Sequence, residues 1–282
     1  AVEALNITGT LPELGNVTGF LQVSAHNLTA INRVIPDLAI VVEGTRDNHQ
    51  LTWQMLAEPV VAEGVLRGAL DEQSNWQGVT ESGVVKIGDF IWELQQPFAT
   101  TWLMSDKQMS LAEHCWQAEQ AQLCNQKTLL ANPQQVQAQI ALKNLEISRL
   151  SELFPEGLAW QGDLQGQASF DWQAEQKPHF ALQLVTRNGA IGLTQEDEEP
   201  LTLPYHQLSL VAKDDTDDHI AFRFEMQAPN MGQGYVDARL NPQQSPYQIN
   251  GAMVLEKVNL AIFKPFFPAM RHLAGEINLA GG

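Results

Sequence analysis

The sequence predicts an all-β chain: an elongated, curled antiparallel β-sheet with an apolar interior and short helical caps between repeats. Apolar and polar residues alternate with period two through most of the chain. Turn residues such as Arg187-Asn188-Gly189 and Asn241-Pro242 separate those runs at close spacing, and helical periodicity is nearly absent. Strands that are apolar on one side and polar on the other belong to antiparallel sheets with one wet face.

In chain order, Leu51, Trp53 and Met55 alternate with Gln50, Thr52 and Gln54. Val136, Ala138, Ile140 and Leu142 follow, opposite Gln137 and Gln139. The longest run goes from Leu158 to Trp172, where every second position is apolar or small. At ~3.3 Å per residue it would span roughly 50 Å if straight, against ~17–20 Å for a usual strand. A bend or break is therefore expected near Gly162 or Gly166, where a missing side chain allows a bulge. The pattern resumes in Phe180, Leu182 and Leu184, in Leu208, Leu210 and Ala212, and in Ile220, Phe222, Phe224 and Met226. Val236, Ala238 and Leu240, then Ile249, Gly251, Met253 and Leu255, complete it.

Three segments break the alternation in the same way: "LTAINRVIP" from 28, "ISRLSELFP" from 147 and "LAIFKPFFP" from 260. Apolar residues stand at relative positions 1, 4, 7 and 8, and proline follows at once. That spacing marks one helical face, and a proline stops a helix by forcing the preceding residue extended. Each is read as a helical cap closing a repeat. The chain then divides into 1–36 as the end of one β-groove repeat, 37–155 and 156–268 as a second and a third, and 269–282 as the start of a further one. Both ends read as cut from something longer.

Composition narrows the functional classes. The formal charge of −17 argues against nucleic acid and against a flat anionic membrane surface, because both need clustered Lys and Arg. No stretch approaches the roughly 20 apolar residues of a membrane-spanning helix. The acidic clusters around Glu196–Glu199 and Asp214–Asp218 lack the ligand-and-glycine spacing of a calcium loop and read as solvated turns. Seven histidines are scattered singly, without the spacing of a metal, serine-nucleophile or phosphate-loop motif. No catalytic residue, metal or cofactor is expected. The two cysteines, Cys115 and Cys124, flank a hairpin centred near Glu119-Gln120 that would set them opposite each other. They read as a disulfide, formed in an oxidising compartment.

Many strands thus present apolar faces, with no long amphipathic helix to cover them. A sandwich, a closed barrel, or a curled sheet filled by something else would each solve this. The third has acyl-chain dimensions: a bilayer core is about 30 Å thick, so one chain is roughly 15 Å long. Each methylene withdrawn from water is worth about 0.8 kcal/mol, so a chain of about 16 carbons would lose on the order of 12 kcal/mol in water.

The hairpin "CWQAEQAQLC", then "ALKNLEISRLSELFP" leading into "GLAWQGDLQGQASFDW", and finally "VNLAIFKPFFP" leading into "LAGEINLAGG", together resemble the TamB family. That family belongs with AsmA-like and bridge-type lipid transfer proteins. The resemblance implies a taco-shaped sheet crossing the periplasm, with the parent protein anchored in the inner membrane. It also implies phospholipids as cargo toward the outer membrane, and an outer-membrane barrel partner, TamA, in outer-membrane protein assembly. The present chain would be a middle segment, with contact to the barrel made elsewhere. On this reading the groove is lined by Leu51, Trp53, Met55, Ile140, Leu142, Leu158, Trp160, Leu164, Phe170, Leu182, Leu184, Phe222, Phe224, Met226, Ile249, Met253 and Leu255. The rival is an extracellular structural or adhesin-type β-repeat with a solid core. A carbohydrate-active jelly roll is weaker, because no carboxylate pair stands out.

Overall fold

The computed structural model describes residues 4–10, 18–30, 33–194, 201–215, 219–229, 232–242, 248–259 and 275–282. The described residues form an all-antiparallel β structure, as the alternation predicts. They divide into two compact units, 1–139 with 172–176, and 140–171 with 177–282.

The first unit opens as a meander of long strands: β1 (Ala4–Thr10), β2 (Gly19–Ala30), β3 (Arg33–Thr45), β4 (Asn48–Ala57), β5 (Val60–Leu70) and β6 (Trp76–Ile87). Each pairs antiparallel with the next. After β6 the strands come in halves. β7 (Phe90–Leu94) and β8 (Phe98–Leu103) both pair with β6, end to end, as one strand interrupted at 95–97. β9 (Gln108–Leu111) pairs with β8, and β10 (His114–Ala118) pairs with β7. β11 (Ala121–Asn125) and β12 (Leu129–Ala131) repeat the arrangement against β10 and β9. β13 (Gln135–Glu146) pairs with both. The interruptions at 95–97, 112–113 and 126–128 therefore lie side by side across the sheet. The register of β5 against β6 slips in line with them, leaving Glu81 unopposed between Ser82 and Thr80. Pro97 has no N–H to give to a ladder, which suits it to such a break.

The second unit holds the rest of β13, a 3-10 helix (Ile147–Leu153), and a second meander. Its strands are β14 (Leu158–Gln173), β15 (His179–Leu193), β16 (Leu201–Asp214), β17 (Ile220–Ala228), β18 (Gly232–Asn241), β19 (Gln248–Asn259) and β20 (Glu276–Gly281). Each again pairs antiparallel with the next. The expected bend in the long ribbon is present at Gly162, where φ is +136° and the register slips between Gln161 and Asp163. Gly166 stays in register opposite Leu184.

The three expected caps have different outcomes. Residues 147–153 are helical, but as a 3-10 turn that ends with the Phe154 N–H donating to the Ser151 carbonyl, 3.0 Å. Phe154 is extended ahead of Pro155, as the proline requires. Residues 28–36 are not a helix: β2 runs to Ala30, β3 starts at Arg33, and Leu28 and Thr29 pair with Ile35 and Val34. Short isolated helices are marginal, and β-branched residues fit a strand better, so cross-strand pairing prevails here. The third cap, 260–268, lies outside the described residues.

Candidate functional site

In an antiparallel ladder, directly opposed residues share a face. The registers therefore show which side chains line up. In the first unit one row runs Leu5, Ala25, Leu38, Met55, Ala62, Val85, Trp92. The next runs Ile7, Val23, Ile40, Trp53, Gly64, Gly83. A third runs Leu21, Val42, Leu51, Leu66, Thr80, Phe98. Leu51, Trp53 and Met55 thus belong to one apolar face that extends across the strands on either side of β4.

The second unit repeats this. Leu164, Thr186, Leu208, Met226, Gly234 and Leu255 form one row. Gly166, Leu184, Leu210, Phe224, Val236 and Met253 form the next, then Ala168, Leu182, Ala212, Phe222, Ala238 and Gly251. Phe170 and Ile249 extend the face toward its ends, opposite Phe180 and Leu240. Leu158 and Trp160 continue it beyond the bulge, opposite Leu193 and Ile191. The other face carries Gln165, Gln167, Gln183, Ser209, Arg223, Glu225 and Asp237. There the Arg223 guanidinium donates to Glu225 and Asp237 and lies 4.5 Å from the centre of the Tyr235 ring.

None of the sequence-predicted lining residues is buried. Most are half-covered by neighbours on their own sheet, and Ile140, Phe170, Phe224, Ile249 and Met253 are exposed, Ile249 at 68%. Trp92, Phe98 and Leu208, which stand in the same rows, are buried. β13 departs from the expected alternation: Ile140 is exposed while Ala141 beside it is buried.

Sequence reasoning missed how tryptophans shape this face. Trp53 lies over Gly64, and Trp116 over Gly83, where an added Cβ would sit 2.7 and 2.5 Å from the ring atoms. Trp76 covers Gly68 and Gly78, and its Nε1–H donates to His49 Nε2 at 2.8 Å. Isolated glycines inside strand patterns were the available signal, since they mark a close approach by another group.

Each unit has a crease in its sheet. In the second unit Gly162 and Gly189 open the β14–β15 ladder, and Tyr205, opposite Gly189 on β16, closes it. Its hydroxyl donates to the Gln161 carbonyl (2.6 Å), accepts from Trp160 Nε1–H (2.9 Å) and shares a hydrogen bond with Thr186 Oγ1 (2.8 Å). Tyr205 is 2% exposed and Thr186 4%, so these groups are satisfied inside the protein. In the first unit, the aligned strand interruptions bound a cavity of about 520 Å³ edged by 95–97, 113–115 and 124–126. The bonded pair Cys115–Cys124 spans β10 and β11 beside it, directly opposed as the hairpin predicted.

Among the described residues no cluster of three or more His, Cys, Asp or Glu could hold a metal, and no helix is long and apolar enough to cross a membrane. The family model described as "TamB, N-terminal domain" matches residues 1–280. The chain belongs to the TamB family. It is 24% identical, over 276 residues, to the Translocation and assembly module subunit TamB of Haemophilus influenzae. The alignment covers 96% of this chain but 21% of that protein, so the chain spans about a fifth of the relative's length. No solved structure matches it.

Proposed function

We propose that this TamB-family chain is a periplasmic segment of an inter-membrane bridge. Its apolar faces shield phospholipid acyl chains during transport to the outer membrane, and the parent protein, anchored in the inner membrane, serves a translocation and assembly module. One observation carries the reading: each unit presents a sheet face that is apolar row after row, yet no side chain of the predicted lining is sealed by protein. Exposed apolar surface on this scale calls for an occupant. An acyl chain matches it in chemistry. A solid-core structural repeat would cover the whole face, whereas Phe170, Phe224, Ile249 and Met253 stay exposed. Partnership with the outer-membrane barrel TamA belongs to this proposal through the family alone.

Photo-crosslinking tests it. Crosslinkers at Leu164 or Phe222 capture phospholipid in the envelope, while those at Asp163 or Arg223 on the opposite face do not. Equal capture from both faces would sink the proposal. A charge in the path, Leu164→Arg, blocks lipid transport while leaving the ladder hydrogen bonds of β14 in place.

A further inference from the structure

We infer that His49 and Trp76 form a pH-dependent latch in the first unit. The neutral imidazole holds the indole flat against the sheet, and acid releases it into the space above the apolar rows. That the released ring then obstructs lipid rests on the acyl-chain reading; the latch itself does not.

The seat is built from two glycines and one acceptor. Gly68 and Gly78 are directly opposed on β5 and β6, and Trp76 lies over both. A Cβ added at them would sit 2.6 and 2.7 Å from the ring atoms, so the indole rests on bare backbone. Its Nε1–H donates to His49 Nε2 at 2.8 Å. His49 is 8% exposed and stands opposite Gly44 on one side and Gly68 on the other. Its Nδ1 lies 3.0 Å from the Thr45 carbonyl, which can only accept, so Nδ1 carries the proton and Nε2 is the bare acceptor. Both ring nitrogens are thereby committed, and only the neutral ring fits.

A proton added at Nε2 sets one N–H against another, so the indole loses its acceptor as the pH falls. Backbone lies beneath the ring, which leaves a freed indole only the outward direction, above the row that holds Leu51 and Leu66. His26 and His179 respond oppositely, because they face Asp37 and Asp214 and a proton strengthens those pairs. No charged side chain stands in the row of His49 or in the rows beside it on β3, β4, β5, β6 or β8. The charges closest along these strands, Glu43, Arg67 and Glu81, lie on the polar face. Arg46, Asp47 and Asp71 lie in the turns at this end. There the Arg46 guanidinium donates to the Asp71 carbonyl, and the Asp71 carboxylate accepts from Asn75. The second unit holds a matching bond with a different acceptor: Trp160 Nε1–H donates to the Tyr205 hydroxyl at 2.9 Å, and a phenol takes up no proton in this range.

NMR of the ¹⁵N-labelled chain from about pH 8 to about pH 5 tests the latch. The Trp76 indole N–H resonance is expected to move upfield in step with protonation of the His49 ring, while that of Trp160 stays in place. Asp71→Asn keeps the response, which separates it from the carboxylate in the turn beside Trp76. His49→Phe keeps a flat ring, removes the acceptor and abolishes the response. Should that variant not fold, the wild-type ring nitrogens decide, since the Nδ1–H tautomer must give way to imidazolium as the indole shifts. A His49 ring that stays neutral throughout, or an indole that holds its position while the ring protonates, overturns the inference. A photo-crosslinker at Leu51, in the adjoining row, then captures less phospholipid in acid than at neutral pH, whereas one at Leu164 captures the same at both. Equal capture at Leu51 overturns the obstruction, and no capture at either position overturns the acyl-chain reading while the latch stands on the NMR.

Discussion

The two creases solve the same problem in opposite ways. A long strand in a strongly twisted sheet must be relieved somewhere, and bulges do it. In the second unit the opening at Gly162 and Gly189 is filled by a side chain of the protein, and the Gln161 carbonyl, the Trp160 Nε1–H and the Thr186 hydroxyl are all bonded to Tyr205. In the first unit the breaks in neighbouring strands are aligned, the opening stays wide, and the covered Asn125 amide beside it remains unmatched. The filled crease gains stability from its polar groups. The open one leaves a buried amide without a partner and gives up stability.

That contrast is broken most directly by removing one atom from the filled crease. Tyr205→Phe deletes the hydroxyl and leaves Thr186 and the Gln161 carbonyl unmatched, so urea unfolding should show a loss of about 2–3 kcal/mol. A loss under half a kcal/mol would mean the hydroxyl network is incidental. Next in size, replacing both Cys115 and Cys124 by Ser removes a staple across a short loop and should cost about 2 kcal/mol by the chain-entropy account. Equal stability of the oxidised protein and the double variant would remove the disulfide from the first crease's support. The third effect has the opposite sign. Asn125→Leu removes a buried amide that has no partner, and in ligand-free protein it should raise stability by about 1 kcal/mol. Destabilisation by a similar amount would place an unseen partner on Asn125.

The smallest effect concerns the strand ends of the second unit. Burial raises the Asp214 carboxyl, but hydrogen bonds from His179 and from the Phe180 N–H outweigh it and hold its pKa below 3.8. A carboxyl lowered on folding stabilises above its unfolded pKa, and that contribution fades as pH falls through the folded value. Stability should therefore drop more steeply below about pH 4 in the wild type than in Asp214→Asn, by a few tenths of a kcal/mol for so exposed a pair. Identical acid profiles would show that the pair contributes nothing.

The face of each strand was legible because period-two alternation is a local property of the chain. Phe222, Phe224 and Met226 could point only one way once Arg223 and Glu225 pointed the other. The bend at Gly162 was legible too, since a ribbon of that length needs relief and glycine marks where it is easiest. The segment at 28–36 misled because apolar spacing of three and four in so short a window also fits a β-branched hairpin, and only pairing between β2 and β3 decides. What flanks each crease could not be read in advance. That Gln95–Pro97, Glu113 and Gln126 come side by side is a fact about register, and nothing near Tyr205 in sequence announces that it faces Gly189. Ile140 shows the same limit: its alternation is regular in sequence, yet Ala141 takes the covered position.

Tryptophans laid across glycines give the first unit's apolar face a particular texture. Trp53 over Gly64 and Trp116 over Gly83 put flat rings where upright side chains would stand, so the surface there has low relief. A flexible hydrocarbon moving over low relief meets few notches deep enough to hold it and few ridges that must be climbed. In the second unit the glycines of the rows are met by aliphatic side chains instead, Gly166 by Leu184 and Gly234 by Leu255. Aromatic rings cover the glycines of one face and branched aliphatic chains those of the other.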